Sequence, residues 1–120
     1  MGNKKYFKEY NFHKWQGWRF RECSILKSPF YLALIHGDRK IYDEYRDSVM
    51  QSTQFNVCTY EDFIKLYESI RDFGYDPKSF ILLDKRHPKR IIDGQHRAAI
   101  LLFIDENVKV RIDNTKKRMI

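Results

Sequence analysis

The sequence predicts a single α+β domain, of the α/β-like kind, in which helices pack on a small mixed sheet. Three observations support this fold class. The chain has 120 residues, enough for one hydrophobic core and too few for two. Hydrophobic residues make up 42% of it and aromatic residues 16%, which favours a folded chain. Apolar residues recur at every second position in some segments and at every third or fourth in others, so strands and helices follow one another.

The N-terminal part of the chain divides into an arm and the start of the domain proper. Residues 1–18 mix lysine with aromatic residues and show no steady period, which predicts an irregular or short helical arm that is aromatic and basic. The domain is expected to cover residues 19–112. Its first strand is predicted over 19–26, where apolar and polar residues alternate. A turn at Ser28-Pro29 then leads into the short apolar segment 30–34.

Two helices are predicted next, because each has a good N-terminal cap and an apolar face. The first runs over about residues 39–50 and begins after Asp38, a residue type that caps helices well. The second runs over about 60–73, between Thr59 as its cap and Gly74 as its stop signal.

The C-terminal part combines strands with a third helix. A continuous apolar strand is predicted over 80–83, which is typical of a strand buried on both faces. A short strand at 91–92 leads through an Asp-Gly turn into a helix over about 95–105. The strict alternation over 108–112 predicts a last strand, and residues 113–120 are expected to form a loose basic tail.

The turn before the third helix has the features of a phosphate site. Asp93-Gly94 ends a β-branched strand, and Gln95, His96 and Arg97 fall in the first turn of the helix. The first turn carries unpaired N–H groups and the positive end of the helix dipole. A glycine allows close approach to the backbone, and an arginine adds a planar set of donors. This pattern predicts an anion pocket for phosphate, whereas the alternative is a polar first turn that faces solvent.

From Thr59 onward, the order of elements resembles that of the ParB/sulfiredoxin-type nucleotide-binding fold, in the branch with an Asp-Gly-Gln-His-Arg motif. The resemblance covers about residues 19–112. It rests on FIKLYESIRDFG over 63–74, on ILL over 81–83 and on IDGQHRAA over 92–99.

The resemblance implies roles for the residues of this motif. Gly94, Gln95, His96 and Arg97 would contact nucleotide phosphates, and Asp93 would shape the turn or act near the transferred phosphate. Sulfiredoxin-type enzymes have a catalytic cysteine where this chain has Gln95, so repair of cysteine sulfinic acid is not expected. Chromosome-segregation ParB proteins have Gly-Glu-Arg-Arg at this turn and a following helix-turn-helix region, and this chain has neither.

The leading functional hypothesis is an ATP- or ADP-dependent phosphotransferase or nucleotide hydrolase that acts on a small-molecule acceptor, with Mg²⁺ as its cofactor. Asp93 or an upstream acid, Glu22 or Asp38, would serve as base or hold the metal ion. His96 would stabilise developing charge.

Two alternatives stay open. The formal net charge of +7 suits an anionic partner, and a basic loop could bind nucleic acid through Lys85, Arg86, Lys89 and Arg90. The chain would then be a nucleotide-sensing DNA-binding regulator or, as the resemblance to proteins with the Asp-Gly-Gln-His-Arg motif implies, a DNA-modification-associated protein. The other alternative is a nucleotide-binding interaction module without chemistry.

Several classes are not expected. No apolar run reaches the roughly 18–20 residues that a membrane helix needs, and the N-terminus lacks the apolar segment of a signal peptide. A cytoplasmic protein without membrane contact is therefore expected. Cys23 and Cys58 are far apart and are predicted to be reduced, and the four histidines lack metal-ligand spacing, so no metal site in the protein itself is predicted.

Overall fold

A seven-stranded sheet is the frame of the computed structural model, which describes residues 4–75, 81–84, 86–87, 89–113 and 118–119. Its strands are β1 (Lys4–Tyr6), β2 (Asn11–Trp15), β3 (Phe20–Ser24), β4 (Ile81–Leu83), β5 (Arg90–Asp93), β6 (Lys109–Asp113) and β7 (Arg118–Met119). They lie side by side in the order β1-β6-β7-β4-β5-β2-β3. β2 and β5 are parallel, and the other described pairs are antiparallel, so the sheet is mixed as predicted.

In the described part of the chain, four α-helices accompany the sheet: α1 (Pro29–His36), α2 (Arg39–Ser52), α3 (Tyr60–Phe73) and α4 (Gln95–Ile104). The three predicted helices are confirmed as α2, α3 and α4. The caps of α2 and α3 act as the sequence indicates, since the side chains of Asp38 and Thr59 accept backbone hydrogen bonds from the first turns of these two helices. Gly74 follows the last residue of α3. The fold class, a small α+β domain, is therefore confirmed.

α1 was not among the predicted helices. The sequence showed only a turn at Ser28-Pro29 and a short apolar segment. In the structure Ser28 is the N-cap, its hydroxyl accepts a hydrogen bond from the amide of Tyr31 at 3.0 Å, and Pro29 occupies the first turn. Proline suits that position because the amide it lacks has no helical partner there. The helix ends at Gly37, which has a left-handed φ of 60°.

Both chain ends contain strands. The predicted irregular or short helical arm is wrong for residues 4–6, since β1 pairs antiparallel with β6. It is also wrong for residues 11–15, because β2 pairs in parallel with β5 and antiparallel with β3. Phe12 is fully buried. The loose tail is wrong for Arg118–Met119, which pair with β4 and β6. Residues 114–117 and 120 lie outside the described residues.

The core is formed by the apolar faces of the helices and the central strands. Phe12 and Ile91 supply it from the sheet, and Phe30, Tyr42 and Phe63 supply it from α1, α2 and α3. α4 is the most buried helix, with four fully buried residues at Ala98, Ala99, Ile100 and Leu102. The N-terminus of α4 is thereby fixed between the sheet and the other helices. Among the described residues, no helix is both long and apolar enough to span a membrane.

Candidate functional site

A pocket of about 450 Å³ lies where the N-terminus of α4 meets β2, β3, β5 and α2. Its apolar lining includes Phe30, Tyr45, Val49 and Ile91. Its polar lining comes from His13, Asn56, Asp93, Gln95 and His96. The volume is within the range of small-molecule sites, which are mostly apolar with a few polar groups.

One part of this pocket is the strand-turn-helix unit that the sequence predicts. β5 ends at Asp93, Gly94 is the N-cap of α4, and the first backbone bond of the helix runs from the amide of Ala98 to the carbonyl of Gly94 at 2.9 Å. No side chain of the described residues caps this end. The amides of Gln95, His96 and Arg97 precede that bond, so they have no carbonyl partner within the helix. They remain available to an anionic ligand.

Gly94 is required by the fold itself. Its φ is 86°, a left-handed conformation that favours glycine, and a Cβ placed on it would lie 2.8 Å from Cγ1 of Ile81. The close approach that the sequence suggested for a ligand is therefore made by β4. Gly94 still lines the pocket, but it is explained by packing.

His96 lies among aromatic rings. Its ring stacks on Phe30 with 4.0 Å between centroids and meets Phe63 edge-on. Its Nε2 lies 3.0 Å from the hydroxyl of Tyr42, and that hydroxyl donates to the carbonyl of Cys58 at 2.8 Å. Burial, followed by the nearby charge of Arg97, lowers the pKa of His96 from 6.5 to about 4. His96 is therefore neutral near pH 7 and does not supply positive charge to a phosphate.

This low pKa predicts a stability change that depends on pH. The unfolded chain binds a proton on His96 below pH 6.5, whereas the folded chain resists it until about pH 4. Stability contributed by neutral His96 is therefore present above pH 6.5 and is lost as the pH falls to about 4. We expect the urea midpoint of unfolding to fall over this interval.

A matched variant isolates the histidine. In His96→Gln the titrating group is absent, so the decline between pH 6.5 and 4 should be shallower, with the lowered pKa of His13 still contributing from this pocket. An equally steep decline in the variant would contradict the assignment.

His13 is a second histidine of the pocket, and it comes from β2. Its Nε2 lies 2.6 Å from Nη1 of Arg90, and Nη2 of Arg90 forms an ion pair with Asp84. Burial and the charge of Arg90 lower the pKa of His13. The hydrogen bond from Arg90, assisted by the backbone amide of Arg86, lowers the pKa of Asp84 from 3.8 to about 2. Asp84 is thus ionised and Arg90 is paired at neutral pH.

The buried position of Arg90 corrects the predicted nucleic-acid surface. Arg90 is only 9% exposed and supports His13 from within the protein, so it cannot follow a phosphate backbone. Arg86 and Lys89 are exposed as predicted. Lys85 lies outside the described residues.

Two phenylalanines form an aromatic rim. The rings of Phe20 and Phe55 meet edge-on with 5.7 Å between centroids, and both side chains are exposed. Phe20 also lies beside the ring of His13, with 6.4 Å between centroids. Such rings offer a flat apolar surface to a planar ligand group.

The other predicted site residues are only partly brought together. Asp93 is exposed and lines the pocket, as does the half-buried Gln95, whereas Arg97 is not among the lining residues. Glu22 lies outside the lining and accepts a hydrogen bond from Asn11. Asp38 caps α2, which is a structural role, and it does not line the pocket either.

No family model, no curated protein and no solved structure was found to match this chain.

The ParB/sulfiredoxin-like relationship therefore stays a prediction. The pocket itself contains residues that the sequence analysis did not assign to a site: His13, Phe20, Phe30, Tyr45, Phe55 and Asn56. A local signal existed for His13 alone, since its polar side chain follows the apolar Phe12 as on a half-buried strand. The others belong to elements that only the fold brings to α4.

A metal site within the protein is not indicated by the described part of the chain. It contains no group of three or more His, Cys, Asp and Glu side chains placed to hold an ion. Magnesium is often bound through one or two carboxylates together with substrate phosphates and water. Among the lining residues, Asp93 is the carboxylate that could bind Mg²⁺ in this way.

Proposed function

We propose that this domain binds a nucleotide in the pocket at the N-terminus of α4. The observation that carries the proposal is the combination of an uncapped helix N-terminus with aromatic side chains around one pocket of about 450 Å³. The amides of Gln95 and His96, two residues of the pocket lining, would bind the phosphate, because the N-terminus of a helix attracts anions. The rings of Phe20 and Phe55 would contact the base.

Features outside the pocket also favour an anionic ligand. The formal net charge of +7 raises the local concentration of anions, and Arg97 adds positive potential in the first turn without lining the pocket. The ParB/sulfiredoxin-like resemblance agrees with this proposal, since it places nucleotide phosphates at the same turn.

Binding is tested by calorimetric titration of ADP and ATP, each with and without Mg²⁺. We expect a single site. In Gln95→Glu a carboxylate would stand beside the amides that bind phosphate, so affinity should fall about tenfold or more through like-charge repulsion. Gln16→Glu makes the same change of charge in the exposed turn between β2 and β3, and it should bind as the parent does. Equal affinities in the two variants would place the phosphate elsewhere.

We further propose that bound nucleotide is hydrolysed or donates its phosphate to a small hydroxyl compound, with Asp93 as the base. Asp93 is exposed at the pocket. Its carboxylate accepts a hydrogen bond from the amide of Gly94 at 2.9 Å, and this bond fixes the position of the carboxylate. Proton abstraction by a positioned carboxylate contributes roughly 10²–10⁴-fold to a rate.

Formation of ADP from ATP, or of AMP from ADP, in water alone and with each of a panel of alcohols measures both reactions, because hydrolysis and transfer yield the same nucleotide product. Asp93→Asn should bind nucleotide normally in the absence of Mg²⁺ and lose turnover by about that factor, whereas Asp47→Asn, on the exposed side of α2, should keep its turnover. Tight binding without turnover in the parent protein would instead support a non-catalytic nucleotide-binding module.

A further inference from the structure

His13 and His96, which we call the histidine pair, line the same pocket from different elements. In each ring Nε2 is already bonded to the protein, to Arg90 in one case and to Tyr42 in the other. Among the described residues, neither Nδ1 has a hydrogen-bond partner, and neither is a fully buried atom without one. Each Nδ1 is therefore the ring nitrogen left for a ligand.

The proton of His13 can be placed from its partner. A guanidinium has donors and no acceptor, so Arg90 donates and Nε2 of His13 accepts. Because a neutral imidazole has one protonated nitrogen, the proton of His13 is on Nδ1. The ion pair with Asp84 holds the guanidinium in this position. His13 thus offers a hydrogen-bond donor.

The proton of His96 follows from a chain of two hydrogen bonds. The hydroxyl of Tyr42 has one proton, and the carbonyl of Cys58, which can only accept, lies 2.8 Å from it. The same hydroxyl lies 3.2 Å from Sγ of Cys58. With its single proton given to the carbonyl of Cys58, the hydroxyl oxygen has two lone pairs, one to accept from Nε2–H of His96 at 3.0 Å and one to accept the thiol proton. Nδ1 of His96 then has a free lone pair and is an acceptor.

We propose that the histidine pair binds an uncharged group of the ligand that both accepts and donates a hydrogen bond. Such a group accepts from Nδ1–H of His13 and donates to Nδ1 of His96. The low pKa of each histidine supports the neutral forms. This inference rests on the proposed nucleotide function and assigns the uncharged part of the nucleotide to this region of the pocket.

The lone pair at Nδ1 of His96 also disfavours a phosphate between the two histidines. An anionic oxygen would meet the lone pair of His96 at Nδ1, which is repulsive. The phosphate is therefore left to the amides of Gln95 and His96, and His96 contributes to phosphate binding through its backbone only. Two parts of a nucleotide have the required chemistry, the ribose hydroxyls and the hydrogen-bonding edge of the base.

The first test uses the free protein and needs no ligand. Long-range ¹H–¹⁵N NMR of the imidazole rings near pH 7 should show His13 protonated on Nδ1 and His96 on Nε2. In Tyr42→Phe the acceptor for His96 is absent, so the Nε2–H signal of His96 should move away from its hydrogen-bonded chemical shift. Tyr60→Phe removes a neighbouring hydroxyl that has no hydrogen bond to His96 and should leave the spectrum unchanged. The opposite tautomer in either histidine of the parent would overturn the proposal.

The second test compares ADP with 2′,3′-dideoxy-ADP and with the diphosphate of purine riboside, which lacks the amino group of adenine. One of the two analogues should bind about tenfold more weakly than ADP, because a polar group of the site is left without its partner. Weaker binding of the dideoxy compound identifies the ribose hydroxyls as the group that the histidine pair binds. Weaker binding of the purine compound identifies the edge of the base instead. Equal binding of all three overturns the histidine inference and leaves the nucleotide function standing. No binding of ADP overturns both.

Discussion

Phe30→Ala should bring the domain close to unfolding at room temperature. Phe30 is 2% exposed, and its ring contacts those of Phe12, Tyr42, Phe63 and His96. Truncating a buried phenylalanine to alanine costs about 3–5 kcal/mol, because the lost burial and the cavity add. Small domains have only about 5–15 kcal/mol of stability.

Urea unfolding followed by tryptophan fluorescence measures this loss, with Phe73→Ala as the control. Phe73 is 88% exposed at the end of α3, so its removal should change stability by no more than about 0.5 kcal/mol. Phe30→Leu keeps most of the volume and should fall between the two. A loss below about 1 kcal/mol in Phe30→Ala would mean that the aromatic core is not packed as described.

Gly94→Ala should destabilise the domain more than any other alanine substitution of a described glycine. Two costs combine there. A left-handed conformation costs a residue with a Cβ roughly 1–2 kcal/mol, and overpacking typically costs about 1–3 kcal/mol. The new Cβ would lie 2.8 Å from Cγ1 of Ile81 and 3.2 Å from its Cα, so β4 would have to shift. We therefore expect a loss of roughly 2–5 kcal/mol.

Gly37→Ala separates the two costs. Gly37 is also left-handed, with a φ of 60°, yet nothing lies within 4 Å of a Cβ at that position. Its substitution should cost only the conformational part, about 1–2 kcal/mol. Equal losses at the two glycines, measured by chemical unfolding, would show that Ile81 does not press on the turn.

The helices could be predicted well because their signals are local. Thr59, Asp38 and Gly74 act within one turn of the helix ends that they define. The apolar face of α3 also depends on neighbours three and four residues apart. α1 escaped prediction because it has only eight residues, and its apolar side chains lie on every side, so no face stands out.

The strand at residues 11–15 could not be predicted, since its apolar alternation is weak and its pairing is distant. Phe12 is the single fully buried residue of β2. The strand gains its place by parallel pairing with β5, which is almost 80 residues away, and the amide of Asn11 bonds to the carbonyl of Lys89 at 2.7 Å. Neither segment alone contains a sequence pattern that predicts this pairing.

The sequence by itself determined the domain class, three helices with their caps, and the uncapped start of α4 that carries the candidate phosphate site. These depend on residues that are close in the chain. The tertiary structure alone decided which side chains surround that helix end. It buried Arg90 against His13, 77 positions away, and placed Tyr42 against His96, 54 positions away. The charge and tautomer of each histidine depend on such distant partners, because burial and hydrogen bonds set them, so residue type and spacing could not reveal them.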